Sequence, residues 1–485
     1  MLDRLGMIPD SNHLFTLDPQ RVYPVLSRAD GVYVWDSSGN RYLDAIAGVA
    51  VVNVGYGRQE VVDAVARQAE RLPFAVSNIF SNEPATQLAA AVSAITPEDV
   101  DWVHFTSGGS EAVEVALKMA RQYHVERGDD QRHIVIGRQT SYHGATLAAL
   151  SVAGSYLRRR KYVPLLLDSP HIPPSYCYRC PWGLTYPTCL LPCATDLERA
   201  ILTAGPEYVA AFIAEPVVAS VGGAISPPPE YFPMIREICD RYGVLLIADE
   251  VVTGLGRTGK AFGLDHWDVV PDILVMGKGL SGGYAPLGAV AVRTKIRQAF
   301  VETGAAFEHI FTYGGNPIAA AAAIAVLDIW TRENLVDNVA SLSGDFDQAL
   351  QRLREFDFVG DVRTIGFMAG IEFVESTATR EPFPADLHVA AMVRDACLRH
   401  GIVTYPGTGM ADGRRGDIVS IYPPLTFTRE NIDEMSDRLF RGLRDVAQSL
   451  GRSSVPVRVT QAYSAVAATE PPIRSPVLRG SDSAS

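Results

Sequence analysis

Leu245-Leu246-Ile247-Ala248-Asp249-Glu250-Val251 and, further along, Ile273-Leu274-Val275-Met276-Gly277-Lys278-Gly279 set the architecture of this chain. Each is a short apolar run that ends abruptly in charge. Runs this short, apolar at every position, predict strands buried on both faces of a parallel sheet. Comparable runs occur at 102–105, 133–136, 208–214 and 287–292, and segments with helical spacing at 110–127, 231–242 and 317–330. Strands alternating with helices predict an α/β fold, a mostly parallel sheet covered by helices.

The flanks differ. Residues 1–30 read as an irregular arm, 31–43 as a β-hairpin turning at Asp36-Ser37-Ser38-Gly39-Asn40, and 59–71 as an amphipathic helix. Over 331–450 the pattern becomes helices at 335–356 and 388–400 with short strands at 368–374 and 418–422. The predicted organisation is an N-terminal arm and part of a small domain over 1–60, a large domain over 61–330, and a small α+β domain over 331–450. A tail over 451–485, rich in Ser, Pro, Ala and Val, is expected to be disordered.

Of the 485 residues 47% are hydrophobic and 20% charged, enough apolar material for a large core. A net charge of −12 without a basic patch argues against nucleic acid as a partner. Arg158-Arg159-Arg160-Lys161 is the only basic run and reads as a solvated helix end or loop. Neither a membrane span nor a secretory signal is expected, which places the chain in the cytoplasm with its thiols reduced.

The chemistry lies at strand ends. An acid such as Asp249, closing a buried strand, is unfavourable unless paired. Lys278 offers one amine between two glycines. Together they suit pyridoxal phosphate: a lysine forms a Schiff base with its aldehyde, and a carboxylate keeps its ring nitrogen protonated so the ring accepts electrons. The flanking glycines suit a lysine that must swing. Thr106-Ser107-Gly108-Gly109-Ser110-Glu111-Ala112 joins a strand to a helix, and its glycines, the helix N-terminus and the Ser110 hydroxyl suit a phosphate. A plain helix-capping turn is the alternative. Tyr142 suits stacking on a flat heterocycle and Val251 covering its other face, although both residue types are also ordinary core material.

Two further motifs are ambiguous. Gly254-Leu255-Gly256-Arg257-Thr258-Gly259 matches the dinucleotide pattern GxGxxG, which would mean a nicotinamide-dependent dehydrogenase. That pattern should open a helix, and the residues after it lack helical periodicity. Cys177, Cys180, Cys189 and Cys193 could hold a structural zinc, form disulfides or stay free.

Taken together, these motifs resemble the class III, or ω-amino acid, family of pyridoxal-phosphate-dependent aminotransferases over about 15–450. The likeness is carried by the segment from Leu245 through Gly279, with Asn53-Val54-Gly55-Tyr56-Gly57-Arg58, Gly109-Ser110-Glu111-Ala112, Tyr142-His143-Gly144 and Ala214-Glu215-Pro216. It implies fold type I, with a large domain and a smaller α+β domain. It also implies a homodimer with active sites at its interface, exchanging an amino group between an ω-amino acid or amine and a keto acid, pyruvate foremost. Decarboxylases, aminomutases and lyases share the scaffold and form the second expectation.

By resemblance Lys278 is the Schiff-base lysine and proton shuttle, and Asp249 pairs with the pyridine nitrogen. Tyr142 and Val251 flank the ring, Gly109 and Ser110 bind the phosphate, and Glu215 belongs to the surrounding network. Thr312 reaches a neighbouring subunit's phosphate. Arg414, or else Arg415, binds the substrate carboxylate. Ser220 stands where ornithine- and GABA-type members usually carry glutamate. Ala50 stands where several amine–pyruvate members carry tryptophan.

Overall fold

The computed structural model describes residues 13–19 and 21–452. The predicted tail, apart from its first two residues, lies outside the described residues.

The central sheet runs in the order Trp102–Thr106, Gly288–Val292, Ile273–Met276, Leu245–Asp249, Val209–Ala214 and Ile134–Gln139, and two short strands, Ala153–Gly154 and His171–Ile172, pair with the last of these. Gly288–Val292 is antiparallel to both of its neighbours, and the other long-strand pairings are parallel. Every residue of Val209–Ala214, Leu245–Asp249 and Ile273–Met276 is buried, as the unbroken apolar runs predict. Alternate residues serve opposite faces. Phe212 and Leu246 pack with the helices Pro192–Ala204 and Tyr231–Tyr242. Ile213, Ile247 and Val275 pack under the helix Gly109–Glu126 through Ala112, Val113 and Ala116. Leu274 and Met276 meet the helix Pro317–Arg332. Parallel strands pointing one way bring their carboxyl ends, with Asp249 and Lys278, to one edge of the sheet.

Two smaller sheets flank it. One is antiparallel, in the order Val359–Ile365, Met368–Phe373, Asp417–Ile421, Tyr405–Gly407. The other carries Leu26–Asp30, Tyr33–Asp36 and Arg41–Asp44, and the late strand Ile402–Val403 pairs in parallel with Arg41–Asp44 through Leu43 and Ile402. Residues 26–30 therefore form a strand inside the stretch expected to be irregular. It lies at the sheet edge, and Arg28 covers the Trp35 ring at 3.7 Å. The single helix expected over 335–356 is α-helical over Leu335–Gln351 and tightens to a 3-10 turn over Arg352–Glu355.

Candidate active site

Lys278 follows its strand directly. Its backbone is left-handed, with φ 43°, a conformation that costs a non-glycine residue about 1 kcal/mol or more and that concentrates at functional sites. Asp249 ends the adjacent parallel strand, opposite Val275. The Lys278 side chain is half-buried, and it makes no hydrogen bond or ion pair among the described residues. Desolvation pulls its pKa down to about 8, against the opposing pull of Asp249 and Glu215; Arg257 and Arg158 push it further down. Of the two flanking glycines, Gly279 has a packing role of its own. A Cβ at Gly279 would overlap the Asn53 amide, and one at Gly277 would lie 3.4 Å from the Gly109 Cα.

Asp249 is buried and oriented from two sides. His143 Nδ1 lies 2.7 Å from its Oδ2, and the Val251 N–H donates to its Oδ1 at 3.1 Å. The opposite nitrogen of the imidazole, His143 Nε2, is buried without a partner among the described residues. Next to it the Tyr142 N–H donates to Glu215 Oε1 at 2.9 Å, while Glu215 Oε2 accepts from the Ala219 N–H at 3.0 Å. Burial raises the Glu215 pKa, with Asp249 adding to the rise and His143 opposing it.

Gly108 caps the helix Gly109–Glu126 without any side-chain bond, and Ser110 sits inside the first turn rather than at the cap. The capping alternative therefore does not describe Ser110. Its Oγ instead accepts from the Ala145 N–H at 3.0 Å. A Cβ at Gly109 would stand 3.0 Å from Val251 Cγ1, so Gly109, Val251 and Gly277 converge where the helix presents its uncapped N–H groups. An open anion cradle, a buried carboxylate and an unpaired amine at one sheet edge fit pyridoxal phosphate. Gly109, Ser110, Tyr142, Glu215, Asp249, Val251 and Lys278 all belong to this edge. Thr312 does not; it is exposed in a turn beside Ile310 and Tyr313, which are 65% and 57% exposed.

The two arginines of the late loop separate by their partners. Arg415 is held by Asp412 and Glu381, each at 2.8 Å. Arg414 forms no ion pair among the described residues; its guanidinium donates to Tyr156 Oη at 3.1 Å, while its backbone N–H donates to Asp412 Oδ1 at 2.9 Å. Three residues of the site went unrecognised in the sequence: His143, Tyr405 and Arg158. Arg158 belongs to the run read as solvated, yet its guanidinium lies 4.7 Å from the centre of the Tyr142 ring and 3.4 Å from Tyr405 Oη.

The ambiguous motifs resolve. Turns and a short 3-10 helix, Gly263–His266, follow Gly254 to Gly259 where the dinucleotide pattern should open an α-helix, which removes the dinucleotide reading. Arg257 in that segment is buried, donating to the carbonyls of Phe367 and Pro423 and to Asn53 Oδ1. All six cysteines are free thiols, and no group of three or more metal-binding side chains occurs among the described residues. Burial pushes Cys193 up to about 12, so it packs as an inert thiol.

Sheet topology and this set of groups define a pyridoxal-phosphate-dependent enzyme of fold type I. Residues 17–443 match the family model for class-III aminotransferases, and the chain belongs to that family. It is accordingly a transaminase that uses pyridoxal phosphate. It is 39% identical over 415 residues to the putrescine–pyruvate aminotransferase of Pseudomonas aeruginosa, covering 85% of this chain and 88% of the relative. An uncharacterized aminotransferase of Bacillus subtilis is 37% identical over 432 residues, covering 88% and 96%. Among solved structures, the (S)-enantioselective omega-transaminase from Thermomicrobium roseum superposes with a TM-score of 0.85 at 36% identity, covering 90% of this chain and 97% of that one. An amine transaminase from an uncultivated Pseudomonas species, in its PLP-bound form, gives 0.83 at 35% identity, covering 90% and 98%. No helix among the described residues is long and apolar enough to cross a membrane.

Proposed function

We propose that this transaminase moves an amino group from a primary amine or ω-amino acid to a short keto acid, with pyruvate the preferred acceptor. The observation that carries the reading is the desolvated, unpaired amine of Lys278 beside the oriented carboxylate of Asp249. The likeness to a putrescine–pyruvate enzyme supports the choice of substrates.

When bound, pyridoxal phosphate supplies an electron sink for charge developing at the donor carbon. Asp249, steadied by His143 and the Val251 N–H, holds a proton at the pyridine nitrogen. Lys278 Nζ lifts a proton from the donor carbon. With a pKa of about 8, roughly a tenth of the amine is already neutral near pH 7. Tyr142 and Val251 would flank the bound ring, and Glu215 fixes the backbone of Tyr142. Gly109 and Ser110 meet the phosphate at the helix N-terminus. Arg414, whose guanidinium forms no ion pair among the described residues, takes a substrate carboxylate.

Thr312, exposed with Ile310 and Tyr313, serves the site of a second subunit in a homodimer; the exposure of these apolar neighbours supports that role. The free thiols suit the cytoplasm. Borohydride treatment of the holoenzyme followed by peptide mapping places the label on Lys278; a label elsewhere refutes the assignment. A donor panel run against pyruvate and 2-oxoglutarate yields alanine in preference to glutamate. Glutamate as the main product overturns the acceptor.

A further inference from the structure

Thr312 stands on a mostly exposed arm, residues 310–313, and the chain on either side of that arm is tied down. On the far side the Asn82 amide donates to the Gly315 carbonyl at 2.9 Å, and Asn316 caps the helix Pro317–Arg332 by accepting from the Ala319 N–H at 3.0 Å. On the near side the Phe307 ring packs edge-on with His104 and Phe300, at centroid distances of 5.7 and 6.0 Å. The backbone of the same stretch is gripped by the helix Gly109–Glu126. Gln122 Nε2 donates to the Ala306 carbonyl at 2.8 Å, and Gln122 Oε1 accepts from the Glu308 N–H at 3.0 Å. One turn earlier in that helix, Lys118 Nζ donates to the Glu308 carbonyl at 3.0 Å and lies 3.3 Å from His309 Nδ1.

A side-chain amide carries donors and an acceptor in one plane, so it can hold a carbonyl and an N–H two residues apart, much as a neighbouring strand would. The Gln122 amide is fully used. Its nitrogen also donates to Glu126 Oε1 at 3.1 Å, and Glu126 Oε2 accepts from the Thr303 hydroxyl at 2.9 Å. Turned over, the amide would set its oxygen against the Ala306 carbonyl and the Glu126 carboxylate, so one orientation is fixed. Desolvation, with the Lys118 charge adding to it and Glu114 opposing, lowers the His309 pKa; the ring is neutral near pH 7 and its Nδ1 accepts from the ammonium. The helix that grips the arm is the one whose first turn carries Gly109 and Ser110. Gln122 lies about 20 Å further along its axis.

We propose that Gln122, assisted by Lys118, is a positioning residue for the cofactor site of a second subunit: it clasps the base of the arm so that the Thr312 hydroxyl meets the phosphate bound there already in place. The inference rests on the homodimer reading of Thr312 and adds the device that aims it. A hydroxyl bonds a phosphate oxygen over a narrow range, about 2.5–3.0 Å. An arm ordered before the cofactor arrives loses less freedom on binding, so more of that bond appears as affinity. One helix thereby serves two sites. Its N-terminus meets the phosphate of its own subunit, and its C-terminal half carries the arm that serves the other.

The test is a double-mutant cycle on the dimeric holoenzyme, with the affinity for pyridoxal phosphate measured by equilibrium dialysis. Thr312→Ala weakens cofactor binding by about tenfold, the loss of one hydrogen bond to a charged group. Gln122→Leu keeps the stem, removes both backbone bonds and weakens binding by about three- to tenfold. Adding Gln122→Leu to Thr312→Ala changes the affinity by less than about twofold, because the clasp acts through the hydroxyl. Lys118→Met, at an exposed position, gives a smaller loss that is likewise absent on the Thr312→Ala background. Sedimentation shows every variant still dimeric. Additive losses, or full affinity in Gln122→Leu, overturn the positioning role and leave that of Thr312. Dissociation of the Gln122→Leu dimer also overturns it, since the clasp then holds the subunits together rather than the hydroxyl in place. Full affinity in Thr312→Ala instead removes the homodimer reading of that residue, and the clasp loses its target.

Discussion

Replacing Lys278 by methionine stabilises the cofactor-free protein. The native amine titrates at about 8 rather than at its ordinary 10.5, so folding works against a buried ammonium at neutral pH. At about 1.4 kcal/mol per pH unit, that displacement corresponds to roughly 3 kcal/mol, and the partial opening of the side chain to the cleft reduces it to about 2–3 kcal/mol. The sign follows from proton uptake. Between about pH 8 and 10.5 the unfolded lysine holds a proton that the folded one has released, so wild-type stability rises with pH across that window. Below it, the whole penalty is present. Methionine keeps the length and apolar stem and removes the charge. Urea unfolding of the two apoproteins, followed by circular dichroism near pH 7 and near pH 10, measures the difference. The variant leads by about 2–3 kcal/mol at the lower pH, and the lead shrinks to under about 1 kcal/mol at the higher one. Equal stability at pH 7, or an undiminished lead at pH 10, refutes the idea that the lysine is held under desolvation strain.

Asp249→Asn keeps the shape of the site while removing the charge that holds the ring proton, and kcat falls by at least about 100-fold with cofactor still bound. Arg414→Ala raises KM for substrates with a distal carboxylate by about tenfold, whereas Arg415→Ala, which only releases Asp412 and Glu381, leaves KM within about twofold. Gly279→Ala forces a methyl group onto the Asn53 amide and destabilises the fold by about 1–3 kcal/mol in thermal unfolding, while Gly277→Ala, with 3.4 Å to its nearest neighbour, is the milder change.

The sheet and its chemical edge were legible because buried strands carry a strong signal. Leu245–Asp249 and Ile273–Met276 are apolar at nearly every position, so the ends of those runs located Asp249 and Lys278 in advance. The strand Leu26–Asp30 was not legible: at the edge of its sheet it keeps Ser27, Arg28 and Asp30, and nothing in its pattern distinguishes it from a loop. His143 and Arg158 were hidden for a different reason. The partner of His143 lies on a strand far away in the chain, and that of Arg158 lies before an intervening helix and strand, Leu147–Val152 and Ala153–Gly154. A basic run is normally solvated, and Arg158 does stay exposed; nothing in the run showed that its guanidinium also lies against the Tyr142 ring. The packing of Gly279 against Asn53 was equally hidden, since Asn53 lies far away in the chain.

The pairing of Leu43 with Ile402 has a consequence for biosynthesis. The hairpin Tyr33–Asp44 emerges from the ribosome early, while the strand that completes its sheet is made only after every strand of the central sheet. Until then the hairpin waits with an open flank, its hydrogen-bonding groups offered to any passing extended chain. The nascent enzyme is thus most prone to mispairing at its beginning and cures that weakness only near the close of translation.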